Sequence, residues 1–468
     1  MSLQERISQW VDAHEQELIR DITRLVAVKS VKGEPAPDAP FGPGPRAVLD
    51  EALALCSEYG FETENYGGAI GTADLNDLPS RVDILGHLDV VGEGTGWDTP
   101  PYEAVLKEDG CLYGRGTDDD KGPCVMALFA MRCVKELGLP LKHGCRLIMG
   151  TDEESGSEDL PYYYSKHAPA PNTFTPDSGF PVYNVEKGLF RPVVKRSWAS
   201  ETALPRVTSI DGGFRINVVP SDAEATVAGM SAAEALELGA AAAGKCAVEL
   251  TACDIEGGAR LKVHGRQSHA AMPWEGENGN TALLAVLASL PLAECESTRA
   301  IKNFSDCFPH GDWRGAACGI AQGDELSGEL TISLDLLKLD GDGMEAQLDS
   351  RVPICASETN CKIVAEEKLR ALGFEVESWM QKAHHTPAEG EFVQALLECY
   401  ETYTGRKGEC KYTGGGTYVH DIEGGVAFGA GMPGFASNLH GANERINMHD
   451  SLEACKIFAL VIAKLCGE

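Results

Sequence analysis

Two apolar runs that each end abruptly in charged side chains constrain this chain more than any other feature. The first, "ILGHLDVVGEG" from Ile84 to Gly94, closes on His87 and Asp89; the second, "CRLIMGTDEESGSED", runs straight into Asp152, Glu153 and Glu154. Between them "GCLYGRGTDDDKGPCVMALFAMRCVKELG" reads as a glycine-rich turn, three aspartates and a helix from about Pro123 to Leu137, with proline in its favoured place at a helix start. Strands are expected over about 82–88 and 146–149. A strand, a polar tip, a helix, then a strand and a polar tip again is the texture of an α/β sheet whose functional groups gather at the carboxyl ends of its strands. Positions two apart share a face of a strand, so the His87 imidazole and the Asp89 carboxylate emerge together. That arrangement suits metal ligation, and taken alone it equally suits a buried histidine satisfied by a neighbouring carboxylate.

With 468 residues the chain exceeds what one core usually serves, so two domains are expected. A hydrophobic share of 43% and a charged share of 24% are those of a globular protein. The formal charge of −31 opposes a nucleic-acid backbone or an anionic membrane surface as partner. The N-terminal "MSLQERISQWVDAHEQELIRDITRLVAVKS" predicts one amphipathic helix without the apolar segment of a signal peptide, and no run suits a bilayer span, which points to the cytoplasm. The 16 cysteines form no C-x-x-C pair and mostly sit within apolar patterns, as reduced, buried small hydrophobes do.

"RAVLDEALALCSEYG" predicts a helix from Arg46, closed by Gly60. Near Lys187 the texture changes to alternating strands such as "GELTISLDLLKLDG". A helix-then-strand unit recurs near 231–251 and 360–379, which suggests two related α+β halves. The α/β texture returns near His385, with a helix from about Gly390 to Thr404. The expected organisation is therefore one catalytic domain of residues 1–186 and 386–468, interrupted by an inserted domain of residues 187–385.

Further polar tips break apolar segments at Asp118 to Asp120, at Asp177 in "TPDSGF", and at His440 and Glu444 in "SNLHGANE". Two histidines and several carboxylates at strand ends of one sheet make the N/O ligand set that suits two zinc ions sharing a carboxylate. Such a pair polarises a carbonyl and lowers the pKa of water.

The order of motifs, H-x-D, G-R-G-x-x-D-D-K-G, D-E-E-S-G, D-S-G, S-H-A-x-x-P and H-G-x-x-E, resembles the di-zinc metallopeptidase family of carboxypeptidase G, aminoacylase and carnosinase-type dipeptidases, most closely its bacterial PepV-type dipeptidases, over essentially the whole chain. The resemblance implies a zinc-peptidase-like α/β catalytic domain, a central mixed sheet flanked by helices, with an inserted α+β lid domain of two ferredoxin-like halves. It implies His87 and Asp177 on one zinc, Glu154 and His440 on the other, and Asp119, two before Lys121, bridging. Asp89 would orient His87, and Glu153 would be the general base that takes a proton from water and passes it to the leaving amine.

In "VHGRQSHAAMPWEGENG" the same resemblance implies that His269 stabilises the oxyanion, and that Asn217 and Arg351 meet substrate, the arginine as a fork for its C-terminal carboxylate. The run "GGGT" lacks the context of a phosphate loop, and Gly415 in it is expected to let backbone approach substrate. The implied activity is hydrolysis of dipeptides or very short peptides with a free N-terminus by a monomer carrying two Zn²⁺ per chain, with cobalt or manganese fitting the same site. Two other readings stay open: an amidohydrolase on N-acyl amino acids with the same site, and a non-catalytic metal-binding scaffold, which would have no need of Glu153 or His269.

Overall fold

The computed structural model describes residues 1–467, and its backbone divides into two units. The first comprises Met1–Val185, His385–Lys411 and the chain from Gly416 onward; the second comprises Glu186–His384 and a short return, Tyr412–Gly415, that the change of sequence texture did not signal.

In the first unit a mixed sheet runs through Glu62–Tyr66, Ile70–Asp74, Gly144–Gly150, Ser80–His87, Asn172–Thr175, Val426–Ala427 and Val182–Glu186. Its central strands are parallel: Ser80–His87 pairs with Gly144–Gly150 on one side and Asn172–Thr175 on the other. His87 stands opposite Gly150, and Leu88 N donates to Gly150 O at 2.9 Å, so the segments that follow both strands leave the same sheet edge together. This register delivers the polar tips to one place.

Behind the sheet lies the helix Lys121–Glu136, buried along nearly its whole length, with the C-terminal helix Met448–Gly467 packed against it. It starts two residues before the expected position, so Pro123 is the third residue of the first turn rather than the first. Gly86 lets this helix approach the strand Ser80–His87, since a Cβ there would overlap Cys124 Sγ and stand 2.7 Å from Asp120 Oδ2.

The predicted N-terminal helix is two helices, Leu3–Ala13 and Glu15–Val26. The break has a local cause. The His14 ring stacks on Trp10 and places Nδ1 2.6 Å from Trp10 O, the carbonyl that the His14 N–H would take in a continuous helix; that N–H bonds Val11 O instead. The helix Pro43–Glu58 begins earlier than expected, with proline at its first position, and Gly60 follows at φ 73°, the left-handed conformation that ends helices.

The second unit is built on one antiparallel sheet in the order Glu249–Ile255, Gly258–His264, Asp222–Ala228, Arg206–Gly212, Thr331–Leu339, Gly343–Val352, Gly188–Ser197, Glu375–Gln381. The helix Ala232–Lys245 leads into one edge strand and the helix Ile363–Ala371 into the other. The two helix-then-strand units thus end at opposite edges of a sheet they share. Its halves join where Ile210, Asp211 and Gly212 pair with Leu339, Lys338 and Leu337. All cysteines are free, and all but Cys253, Cys355 and Cys410 are buried. No described helix is long and apolar enough to cross a membrane.

Because the close approach at Gly86 is met by sulfur and carboxylate rather than by a flexible side-chain end, Gly86→Ala is expected to destabilise the first unit by about 1–3 kcal/mol, the usual cost of overpacking. Urea unfolding checks it as a lowered midpoint at unchanged m-value.

Candidate metal centre

His87 ends its strand with the imidazole fully buried, Nδ1 3.0 Å from the carbonyl oxygen of Asp89 and Nε2 2.8 Å from Asp119 Oδ1. The other oxygen of the same carboxylate, Asp119 Oδ2, lies 2.8 Å from Nε2 of His440, which in turn is 3.0 Å from Glu154 Oε1. One carboxylate therefore stands between two imidazoles, an oxygen to each. Asp177 Oδ2 is 3.8 Å from His87 Nε2.

Two groups of donors result: His87, Glu153 and Asp177, and Asp119, Glu154 and His440, with ligand atoms in each within 4.8 Å of one another. Each offers one imidazole nitrogen and two carboxylate oxygens, the donor chemistry of borderline dications. The electrostatics agree. Desolvation, followed by the nearby Asp119 carboxylate, raises the pKa of Asp177 well above the ordinary range, and the same two causes raise Glu154. Desolvation also raises Glu153 well above its usual value, with Glu154, Asp119 and Asp89 adding to the shift against His87. Desolvation works against the charged form of His440, yet hydrogen bonds to Asp119 and Glu154 outweigh it and push the pKa up to about 10. Carboxylates this crowded call for positive charge, and the residues present fit a pair of metal ions.

What holds these side chains is a set of buried carboxylates bonded to backbone N–H groups. Asp89, expected to orient His87, keeps Oδ1 3.4 Å from His87 Nδ1, but its two oxygens also accept from Glu153 N and Glu154 N, each at 3.1 Å. Asp159 Oδ2 accepts from Thr151 N at 2.7 Å, from Asp152 N at 3.0 Å and from the Tyr418 hydroxyl at 2.5 Å, in space that Gly150 leaves by lacking a Cβ. Four consecutive N–H groups, 151 to 154, are thereby taken by two carboxylates. Asp120 Oδ2 accepts from His87 N at 3.1 Å. Glu444 accepts from three more N–H groups in the loop before Asp119. Asp159 and Glu444 in these roles escaped the sequence reading; the glutamate of H-G-x-x-E was its only signal.

The remaining predicted residues lie in the second unit. His269 sits in the short strand Ser268–His269 opposite Val218, and Ala270 N donates to Asn217 O at 3.0 Å, so His269 and Asn217 are neighbours. Asn217 adopts φ 72°, and its N–H donates to Asp335 Oδ2 at 2.8 Å. Arg351 is buried, with Nε donating to Asp349 Oδ1 at 2.6 Å, Nη2 to Asp349 Oδ2 at 3.3 Å and Nη1 to Gly414 O at 2.6 Å. Gly415 N donates to Thr413 Oγ1 at 3.0 Å.

Residues 84–464 match the family model described as Peptidase family M20/M25/M40. The chain belongs to this peptidase family. It is 33% identical over 463 residues to the putative dipeptidase YtjP of Bacillus subtilis (strain 168), covering 96% of this chain and 97% of that one. It is 29% identical over 469 residues to the Beta-Ala-Xaa dipeptidase of Lactobacillus delbrueckii subsp. lactis, covering 97% of each. In structure it is similar to human carnosine dipeptidase 1, with a TM-score of 0.61 at 16% identity and 100% of both chains covered. A tripeptidase from Staphylococcus aureus gives a TM-score of 0.58 at 14% identity over 97% of this chain and 99% of that one. The motif resemblance to the di-zinc peptidases holds, and the mixed α/β architecture is that of these neighbours.

Asp89→Asn is expected to leave Glu153 N or Glu154 N facing an amide donor. The loss of one buried acceptor should cost about 1–3 kcal/mol of unfolding free energy, measured in denaturant on the metal-free protein.

Proposed function

We propose that this chain is a zinc dipeptidase that hydrolyses the peptide bond of dipeptides or very short peptides with a free N-terminus. The observation that carries the reading is the Asp119 carboxylate, with Oδ1 2.8 Å from His87 Nε2 and Oδ2 2.8 Å from His440 Nε2, the arrangement of a ligand shared by two ions. The dipeptidase names of relatives matched over nearly their full length support the substrate class.

In this reading His87 and Asp177 would hold one zinc and Glu154 and His440 the second, with Asp119 placed to serve both. When bound, the ions polarise the scissile carbonyl and make water more acidic. Glu153 takes a proton from the attacking water on a carboxylate oxygen and delivers it to the leaving amine nitrogen. Asp89 holds the Glu153 and Glu154 backbone so that the two side chains keep their separate tasks.

The second unit supplies substrate contacts. His269 donates to the oxyanion and Asn217 bonds the substrate. Arg351, anchored by Asp349, has one further N–H on each Nη for the substrate's C-terminal carboxylate. Gly415 admits the substrate backbone. The enzyme acts as a monomer in the cytoplasm, and a solution mass showing an obligate dimer would overturn the monomer.

Glu153 falls in one donor group with His87 and Asp177, as Glu154 does with Asp119 and His440, so function must tell the pair apart. Glu153→Gln is expected to keep metal content near wild type while kcat falls about 10²-fold or more and KM changes much less. Glu154→Gln should lose metal together with rate, because an amide is a poorer donor to a dication than a carboxylate. If Glu153→Gln loses zinc and Glu154→Gln keeps it, the assignment is reversed.

Exhaustive chelation should abolish turnover of a dipeptide panel, and zinc, cobalt or manganese should restore it. Full activity after chelation would refute the reading, and turnover of N-acyl amino acids in place of dipeptides would move it to an amidohydrolase.

A further inference from the structure

Arg115 and Glu444 are both buried, at 1% and 0% exposure, and bonded to each other through Arg115 Nη1 and Glu444 Oε2 at 2.5 Å. Neither reaches the donor groups, yet each is tied to a segment that carries one. Glu444 Oε1 accepts from Gly116 N at 3.0 Å, Asp118 N at 2.9 Å and Asp119 N at 3.2 Å, and so fixes the backbone from which the Asp119 carboxylate projects. Arg115 Nη2 donates to His440 O at 3.2 Å and Gly441 O at 3.1 Å, and so fixes the backbone at His440. His440 needs such support. It adopts φ 59°, a conformation that costs a non-glycine residue free energy, and its side chain is 45% exposed, so packing does little to hold the ring.

His87 is held differently. It ends a central strand paired on both sides, its ring is buried, and its N–H is bonded by Asp120 rather than by Glu444. Of its group, Glu153 follows the neighbouring strand on the turn fixed by Asp89 and Asp159, and Asp177 lies just beyond the strand Asn172–Thr175. None of those three is bonded to Arg115 or Glu444; the pair reaches this group only through Asp119, which lies 2.8 Å from His87 Nε2, and through Arg115 Nη2, 3.5 Å from Gly92 O in the loop after Asp89.

We propose that Arg115 and Glu444 form a clasp of positioning residues that sets Asp119 against His440, and that the two metal positions are therefore unequal in what holds them: the one at His87 and Asp177 rests on the sheet, whereas the one at Glu154 and His440 depends on the clasp for its histidine. This rests on the metal reading given above. Loosening the clasp frees the His440 backbone, which one metal position uses, and the turn of Asp119, which both share, while leaving His87, Asp177 and Glu154 in place.

The test is calorimetric titration of Zn²⁺, with a competing chelator, into the metal-free full chain. Wild type is expected to bind two equivalents. In Glu444→Gln one equivalent should weaken by roughly 10- to 100-fold, the usual loss when a group that orients a ligand is removed. The other equivalent, touched only through the shared Asp119, should weaken at least threefold less, and a spectroscopic thermal scan of the metal-free variant should show it folded. Arg115→Lys keeps the charge but loses the fork that spans Glu444 and the His440 carbonyl, so it should show the same selective loss and give a second reading if Glu444→Gln does not fold. Equal weakening of both equivalents, or no weakening of either, overturns the clasp. Failure of wild type to bind Zn²⁺ at all would instead overturn the metal reading beneath it.

Discussion

Crowding of carboxylates around two imidazoles is the constraint on which the rest of the first unit depends. Asp119, Glu153, Glu154 and Asp177 bring four carboxyl groups among His87 and His440, with Asp119 buried and the other three carboxylates half-buried. Desolvating one carboxylate is costly, and placing four together multiplies the cost unless opposite charge is supplied. Even with both imidazoles protonated, negative charge would remain in excess. Two divalent ions against four carboxylates leave no net charge with neutral imidazoles, which is why the proposed metal pair and the local electrostatics are one argument.

A cluster that repels itself before its ions arrive has to be held by something other than its own attractions. The chain uses a second tier of buried carboxylates, each taking backbone N–H groups rather than metal-facing side chains. Asp89 and Asp159 take the four N–H groups from Thr151 to Glu154, Asp120 takes that of His87, and Glu444 takes three in the loop before Asp119. A charged acceptor on a buried N–H forms a strong bond, so each turn is fixed before any ligand enters. The observed role of Asp89 is thus wider than the H-x-D spacing suggested: it holds the two glutamates as well as facing the imidazole.

What the sequence made legible follows from this division. His87, Glu153 and Glu154 end or follow two apolar strands separated by a helix, and Asp177 breaks a further apolar segment, so their gathering at strand ends was foreseeable from the pattern, while the part each plays came from the motif resemblance. Asp119 and His440 were reached through motif order, since nothing in the local pattern of a loop states which distant loop it meets. Asp159 and Glu444 were not reached as backbone acceptors, because which N–H groups a buried carboxylate collects is decided by the path of the turn and leaves no periodic trace. The break at His14 belongs to the same class: a side chain captures one carbonyl inside a pattern that reads as continuous helix.

The chain order gives this a further consequence. His87, Glu153 and Asp177 all precede residue 186, and two of the strands that carry them pair directly with Ser80–His87, through contacts that lie wholly ahead of the second unit in the sequence. His440 joins Asp119 only after the chain has passed through the whole second unit and returned, when Arg445, Ile446 and Asn447 pair with Tyr113, Leu112 and Cys111. That pairing closes a loop of more than three hundred residues, and loops of such span are closed late because their entropy must be overcome before their contacts contribute. A solvent-facing histidine in a left-handed conformation on that returning loop is not paired into the sheet. The clasp of Arg115 and Glu444 answers that topological problem, since Arg115 immediately follows the strand pair that closes the loop and Glu444 immediately precedes its return.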